Sequence, residues 1–315
     1  MAVADEFGVL TKAFTGLGVD EKSLISILGK WHPEHKQSFR KTTRDIFVED
    51  ERQFERWDDR HVQKLQQEFL RFKDAVVLWT MHPWERDARL LREAVYKRPN
   101  YGILVETACT RSSEELLGAR RAYHSLFEHS IEEDIAFHIH GFEKKLLVGL
   151  VSAYRYEGPK YSEEEAKSEA KILKNVIKDG AKKLHEEEEI VRILTTRSKL
   201  HLKAVFKHYK ETSGNYLDED LGDQLILKQT VQCLCKPETY FTEVLDVSLK
   251  GIGHDFAKEA LTRVIVTRAD VDLKLIKEEY HQLSGVTLSH KIEEIANGNF
   301  KDFMLTLIAR GDQEN

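Results

Sequence analysis

Thr110-Arg111-Ser112, Thr196-Arg197-Ser198 and Thr267-Arg268-Ala269 decide the fold of this chain. In each copy Leu stands five residues after the Arg (Leu116, Leu202, Leu273) and Tyr stands twelve after it (Tyr123, Tyr209, Tyr280). An apolar run precedes each copy: Ile103-Leu104-Val105, Ile190 to Leu194, and Val264-Ile265-Val266. Self-similarity at a fixed spacing marks a repeat architecture. Leu116, Ala119, Tyr123 and Leu126-Phe127 recur at the interval of an amphipathic helix. A degenerate first copy precedes the three, with Leu24 to Leu28 in the apolar slot and Trp31 in the Arg position. The tails also match one another, at Phe72-Lys73-Asp74, Phe142-Glu143-Lys144 and Phe300-Lys301-Asp302. Trp31 lies about ten residues further from its tail than Arg111 or Arg268 does, so the first unit carries an insertion. The heavily charged stretch from Asp45 to Arg60 is its expected place.

The 315 residues thus divide into four helical units, expected at 1–80, 81–156, 167–238 and 239–315. The Gly158-Pro159 turn and the acidic run after it make 157–166 a linker between two halves, with Ser162 capping the next helix. Five Pro and 17 Gly are few, which favours an all-α fold over a loop-rich β fold. A net charge of −6 argues against a nucleic-acid footprint. Three cysteines (Cys109, Cys233, Cys235) are too few for a disulfide framework and suit a reducing compartment. The start of the chain lacks a basic segment followed by an apolar core, and no apolar run is long enough to span a bilayer. A cytoplasmic protein with only peripheral membrane contact is expected.

Two loops share a spacing of their own: Gly16-Leu17-Gly18-Val19-Asp20-Glu21 and Gly251-Ile252-Gly253-His254-Asp255. Glycine tolerates backbone conformations that turn several carbonyls to one side. Calcium takes roughly six to eight oxygens, carbonyls and carboxylates among them. A carboxylate must complete a site made of neutral carbonyls, and in the first unit the candidate is Glu68. Leu17 and Ile252, between the glycines, can enter the headgroup boundary of a membrane. An acidic protein meeting acidic lipid needs such a bridging cation. The competing reading is an ordinary helix-connecting turn in which Asp20 and Asp255 are N-caps.

Over essentially its whole length the sequence resembles the annexins. The repeats and the two loops carry the likeness, and Trp79 to Ala88, Ala108 to Ser112 and Leu150 to Gly158 are similar to plant annexins in particular. The resemblance implies an all-α fold of four repeats, each of about five helices, packed into a curved disc with calcium loops on its convex side. It implies a main calcium site formed by the carbonyls of Phe14, Gly16 and Gly18 with Glu68, and an accessory site at Val19 and Glu21. In the fourth repeat the carbonyls of Leu249, Gly251 and Gly253 align as a weak second site. There the acidic slot falls on Ile295, with Glu294 one residue away. The second repeat has His138 in that slot, and the third has Leu184 to Glu189 with no glycine, so both are expected to be silent. Cys109 and Cys233 match a cysteine pair that plant annexins bring together, which implies a redox role; two buried free thiols are the plainer reading. His254 stands where Thr is usual and is a candidate pH sensor. Val191 to Arg197 is similar to an actin-binding motif proposed for annexins, although it overlaps a core helix.

The expected function is calcium-dependent binding to acidic phospholipid membranes, with Ca2+ as the cofactor and actin or self-association as further partners. A calcium-permeable channel and an all-α scaffold without lipid binding are the alternatives. No phosphate-binding loop, zinc-protease helix motif or nucleophile elbow is present, so catalysis is not expected.

Overall fold

The computed structural model describes residues 3–14, 21–62, 72–97, 100–179, 184–251 and 255–312. The chain begins with α1 (Val3–Phe14), α2 (Glu21–Lys30), α3 (Pro33–Thr42), β1 (Phe47–Glu49), β2 (Glu55–Trp57) and α4 (Phe72–Thr80). The second repeat holds α5 (Pro83–Tyr96), α6 (Tyr101–Thr110), α7 (Ser113–Phe127), α8 (Ile131–His138) and α9 (Gly141–Val151). The third holds α10 (Glu163–Asp179), α11 (Leu184–Thr196), α12 (Lys199–Ser213), α13 (Leu217–Asp220) and α14 (Leu225–Cys235). The fourth holds α15 (Pro237–Lys250), α16 (Asp255–Arg268), α17 (Leu273–Ser284), α18 (Leu288–Ile295) and α19 (Gly298–Ile308). These helices form two compact units, one of residues 1–82 with 238–315 and the other of residues 83–237. The first and last repeats therefore share a unit, and the segment at 157–166 lies inside the other one.

The Thr-Arg-Ser motif is a corner between two helices. Thr110, Thr196 and Thr267 end the apolar helix, each hydroxyl turned back onto the carbonyl four residues earlier. Ser112 and Ser198 then cap α7 and α12 by accepting the N–H of Glu115 and His201 at 3.1 Å. The Leu five residues on is buried in every copy, as is the Tyr. Tyr123 and Tyr209 donate their hydroxyls to Asp134 and Asp220, tying each helix to the short one that follows. Ser162 likewise accepts from Glu165 at the start of α10, as the sequence leads one to expect.

The Arg of the motif reaches back to the repeat's first helix. Arg111 makes two bonds to Asp87 on α5, at 2.8 and 2.9 Å, with both groups buried. Burial alone would weaken the Arg111 charge, but Asp87 outweighs it and holds the guanidinium firmly protonated. Arg197 donates to Glu169 on α10, and Trp31, in the same slot of the first repeat, donates its indole N–H to Glu6 on α1. In the fourth repeat Phe241 on α15 stands where the second repeat has Asp87. Arg268 instead lies 4.7 Å from the ring centre of Phe241 and pairs with Asp272 on its own corner.

The insertion of the first repeat is a two-stranded antiparallel hairpin, with Phe47 opposite Trp57. Those two rings meet at 4.8 Å and are buried, whereas Val48 and Glu49 between the buried positions are exposed. The all-α expectation holds with this local exception. The unit of residues 1–82 and 238–315 closes where α2 meets α19. A Cβ on Gly29 would stand 2.1 Å from the Thr306 methyl, so glycine is what permits the approach. Beside it Arg310 caps the carbonyl of Gly29 at 2.6 Å and pairs with Asp270, which also binds Lys36 at 3.0 Å. Lys36 sits 3.2 Å over the ring of Trp79, whose indole N–H donates to the carbonyl of Leu28. In the unit of residues 83–237 Gly149 on α9 approaches Thr195 on α11 in the same manner, and Arg155 caps the carbonyls of Leu194 and Arg197.

Two outcomes follow for stability. Asp87→Ala strands a buried guanidinium and is expected to cost about 3–5 kcal/mol in urea unfolding, whereas Asp87→Ala with Arg111→Met regains most of it. Burial would raise the Asp270 carboxyl, but Lys36 and Arg310 outweigh it and hold it below the usual carboxylate range. A depressed carboxyl contributes stability above its unfolded pKa and loses it as pH falls through the folded one. The urea midpoint is expected to hold down to about pH 5 and fall below about pH 4, with a shallower fall in Lys36→Met.

Candidate functional site

Two kinds of junction concern the candidate site: between the first and second helices of a repeat, and between its fourth and fifth. At the first kind of junction a helix stops and leaves its last carbonyls without partners inside the helix. Phe14 is such a terminus, its buried ring edge-on to Trp57 at 5.2 Å. In the fourth repeat Leu249 is buried near the end of α15, and Gly251 donates its N–H to the carbonyl of Val247 at 3.0 Å. Carbonyls freed at a helix end are hard donors, so these positions fit calcium chemically. Gly16, Leu17, Gly18, Val19, Glu68, Ile252, Gly253 and His254 lie outside the described residues.

The second junction can be compared directly between two repeats. α8 ends at His138, and Ile139 closes the turn by donating to the carbonyl of Ile135 at 2.9 Å. α18 ends at Ile295, and Ala296 donates to the carbonyl of Ile292 at 2.9 Å. Both chains then turn through a glycine with left-handed φ, Gly141 at 69° and Gly298 at 63°. The backbone is thus the same while the acidic slot holds His in one repeat and Ile in the other. His138 is exposed, with its ring 4.4 Å from that of Tyr96. Glu294, the near substitute, is exposed and already paired with Lys291 at 3.0 Å, which holds its carboxyl below the usual range. His290 lies 3.3 Å away on the same side. In these two repeats the slot itself holds no carboxylate.

Sequence reasoning missed the partner of Glu21. Its carboxylate accepts a hydrogen bond from the side-chain amide of Asn299 on α19. No spacing rule could have paired residues 278 positions apart. The thiols show a similar shift of partner. Cys109 and Cys233 are both buried, on α6 and α14, and are not joined in a disulfide. Burial pushes the Cys109 thiol up to about 11 and that of Cys235 up to about 12. Arg155 and Lys199 pull both of these thiols the other way, so Cys235 shares the electrostatic surroundings of Cys109. At neutral pH such thiols are protonated and poor nucleophiles. The motif-like run Val191 to Arg197 has Ile193 and Leu194 in the core, and its Arg197 is occupied by Glu169. Among the described residues no helix is long and apolar enough to cross a membrane.

Corner motif, junctions and five-helix repeats together define an annexin. The annexin family model matches residues 86–150, 169–225 and 240–307, and the chain belongs to that family. Annexin D4 of Arabidopsis thaliana is 51% identical over 319 residues, covering 99% of this chain and 100% of that protein. Annexin-like protein RJ4 of Fragaria ananassa is 40% identical, over 96% of this chain and 94% of its own. The structure of annexin III superposes with a TM-score of 0.82 at 25% identity, over 98% of this chain and 94% of the other. The chain is a plant-type annexin, and binding to calcium and to phospholipid membranes follows from the family.

Asn299→Ala is expected to release Glu21 for ligation. Calorimetric titration of the intact chain should then show calcium binding roughly tenfold tighter at one site. Unchanged affinity would remove Glu21 from the ligand set.

Proposed function

We propose that this annexin attaches to acidic phospholipid membranes when calcium is present, chiefly through its first repeat, and that it performs no catalysis. The observation that carries this reading is the acidic slot: at one and the same backbone turn it holds His138 and Ile295, which leaves Glu68 as the carboxylate in register with a glycine loop. On the family resemblance the main site is assigned to the carbonyls of Phe14, Gly16 and Gly18 and to the carboxylate of Glu68. Calcium, when bound, supplies the positive charge that lets an acidic protein and an acidic headgroup share oxygens on one centre. Leu17 carries an apolar side chain into the headgroup boundary beside it, as Ile252 does in the fourth repeat. Leu249, Gly251 and Gly253 form a weaker site there, because Glu294 is engaged by Lys291.

Sedimentation with phosphatidylserine vesicles tests this. Glu68→Gln is expected to raise the calcium needed for half-maximal binding roughly tenfold, and Glu294→Gln to change it little. The reverse order would move the site to the fourth repeat. Failure of the unaltered protein to bind at millimolar calcium would end the reading altogether.

A further inference from the structure

The third repeat carries a stripe of amines along α12. Lys199, Lys203, Lys207 and Lys210 follow one another at intervals of four, four and three residues, which places them on one face of the helix. The other side of α12 is buried through Leu202, Val205 and Tyr209. At a rise of 1.5 Å per residue the stripe is about 16 Å long. At its end Lys210 sits 3.3 Å over the ring of Tyr216, and Lys236, which follows the last residue of α14, lies 4.6 Å from the same ring. Two amines thus converge on one exposed phenol. Lys210 by its hydrogen bond, and then both amines by their charge, hold that phenol below the usual tyrosine range.

The carboxylates beside the stripe are engaged elsewhere. Glu163, whose charge reaches Lys207, and Glu211, one turn along from Lys207, both pair with His208, at 2.5 and 2.9 Å. Glu219 accepts the backbone N–H of Tyr216 at 2.9 Å. Among the described residues no carboxylate lies within ion-pair distance of the exposed Lys203, Lys207 and Lys236. Like charges one helical turn apart repel, so a partner of opposite sign relieves a strain built into α12.

The extent of the charge selects the partner. A lone phosphate meets one part of the stripe, whereas an extended peptide of about five residues spans it at about 3.3 Å per residue. Acids bound the patch, with Glu163 beside Lys207 and with Asp218, Glu219 and Asp220 in α13 beside Tyr216. A nucleic-acid backbone, charged along its whole length, runs onto those acids, and the chain as a whole is acidic at −6. A short acidic segment fits between them. Lys236 also stands one helix length, about 16 Å, from the junction of α13 with α14. The amines at Tyr216 and that junction are therefore at opposite ends of α14.

We propose that the lysine face of α12, closed by Tyr216 and Lys236, docks a short acidic segment of a partner protein, whose carboxylates pair with Lys203, Lys207 and Lys236. The contact needs no calcium and uses none of the residues assigned to the calcium sites. It gives the third repeat, which has no glycine loop, a recognition surface of its own.

The test is fluorescence anisotropy of a labelled hepta-glutamate peptide titrated with the full chain, in chelator and in calcium. Binding should be present under both conditions and weaken as salt rises. Lys203→Gln with Lys207→Gln and Lys236→Gln is expected to bind roughly tenfold more weakly. Its thermal melt should be no lower than that of the unaltered chain, because exposed like charges are removed. Lys30→Gln with Lys41→Gln and Lys274→Gln takes the same charge from exposed positions elsewhere and should bind as the unaltered chain does. Equal loss in the two triple variants reduces the effect to net charge and overturns the proposal. So does equal binding by the first variant and the unaltered chain, or absence of binding by the unaltered chain. Tighter binding in chelator to an oligouridylate or to phosphatidylserine vesicles, lost in the first variant, assigns the face to RNA or to lipid and overturns it too.

Discussion

Each repeat is held by one side chain that leaves the end of its second helix and reaches back to its first. Arg111 on Asp87, Arg197 on Glu169 and Trp31 on Glu6 are three chemistries of that contact. In the last three repeats the corner that follows is cut to the same measure, with a buried Leu one turn in and a buried Tyr two turns further, and in the second and third a Ser caps the next helix. A buried guanidinium is tolerable only when its acid is in place, so position and charge are fixed together. Arg268 shows the alternative: it lies over Phe241 of the first helix and pairs within its own corner.

From these fixed corners the junctions at one end inherit their shape. The turns after α8 and α18 agree residue by residue in backbone, including the left-handed glycine. What differs is the side chain presented there. A scaffold of this kind separates two jobs: the helices determine where the slots stand, and single residues in the slots determine what each repeat recognises.

Much of this was legible in the sequence because the repeat interval is strict. The Arg, Leu and Tyr at constant spacing reveal helices and corners before any contact is known, and the interruption of that spacing between Asp45 and Arg60 locates the hairpin. The hairpin's strands were hidden by their charge, since Phe47 and Trp57 are the only buried residues in them. Pairings between distant repeats were not legible. Asn299 with Glu21, Arg310 with Gly29 and Lys36 with Asp270 join residues hundreds of positions apart, and periodicity within one repeat carries no information about them. For the site, the identity of each slot residue could be read directly, whereas the engagement of Glu294 by Lys291 and of Glu21 by Asn299 could not.

The pairing of the first repeat with the last has a consequence for biosynthesis. Arg310 and the Gly29 carbonyl that it caps are 281 residues apart in the chain. A ribosome adding roughly 5–20 residues per second needs about 15–60 seconds to make that interval. During that time residues 83–237 have everything required to form their own unit, while the side of α2 that meets α19 waits for its partner. Each newly made molecule thus passes through a stage in which its N-terminal quarter is exposed to chaperones and to other nascent chains, and synthesis of α19 ends it.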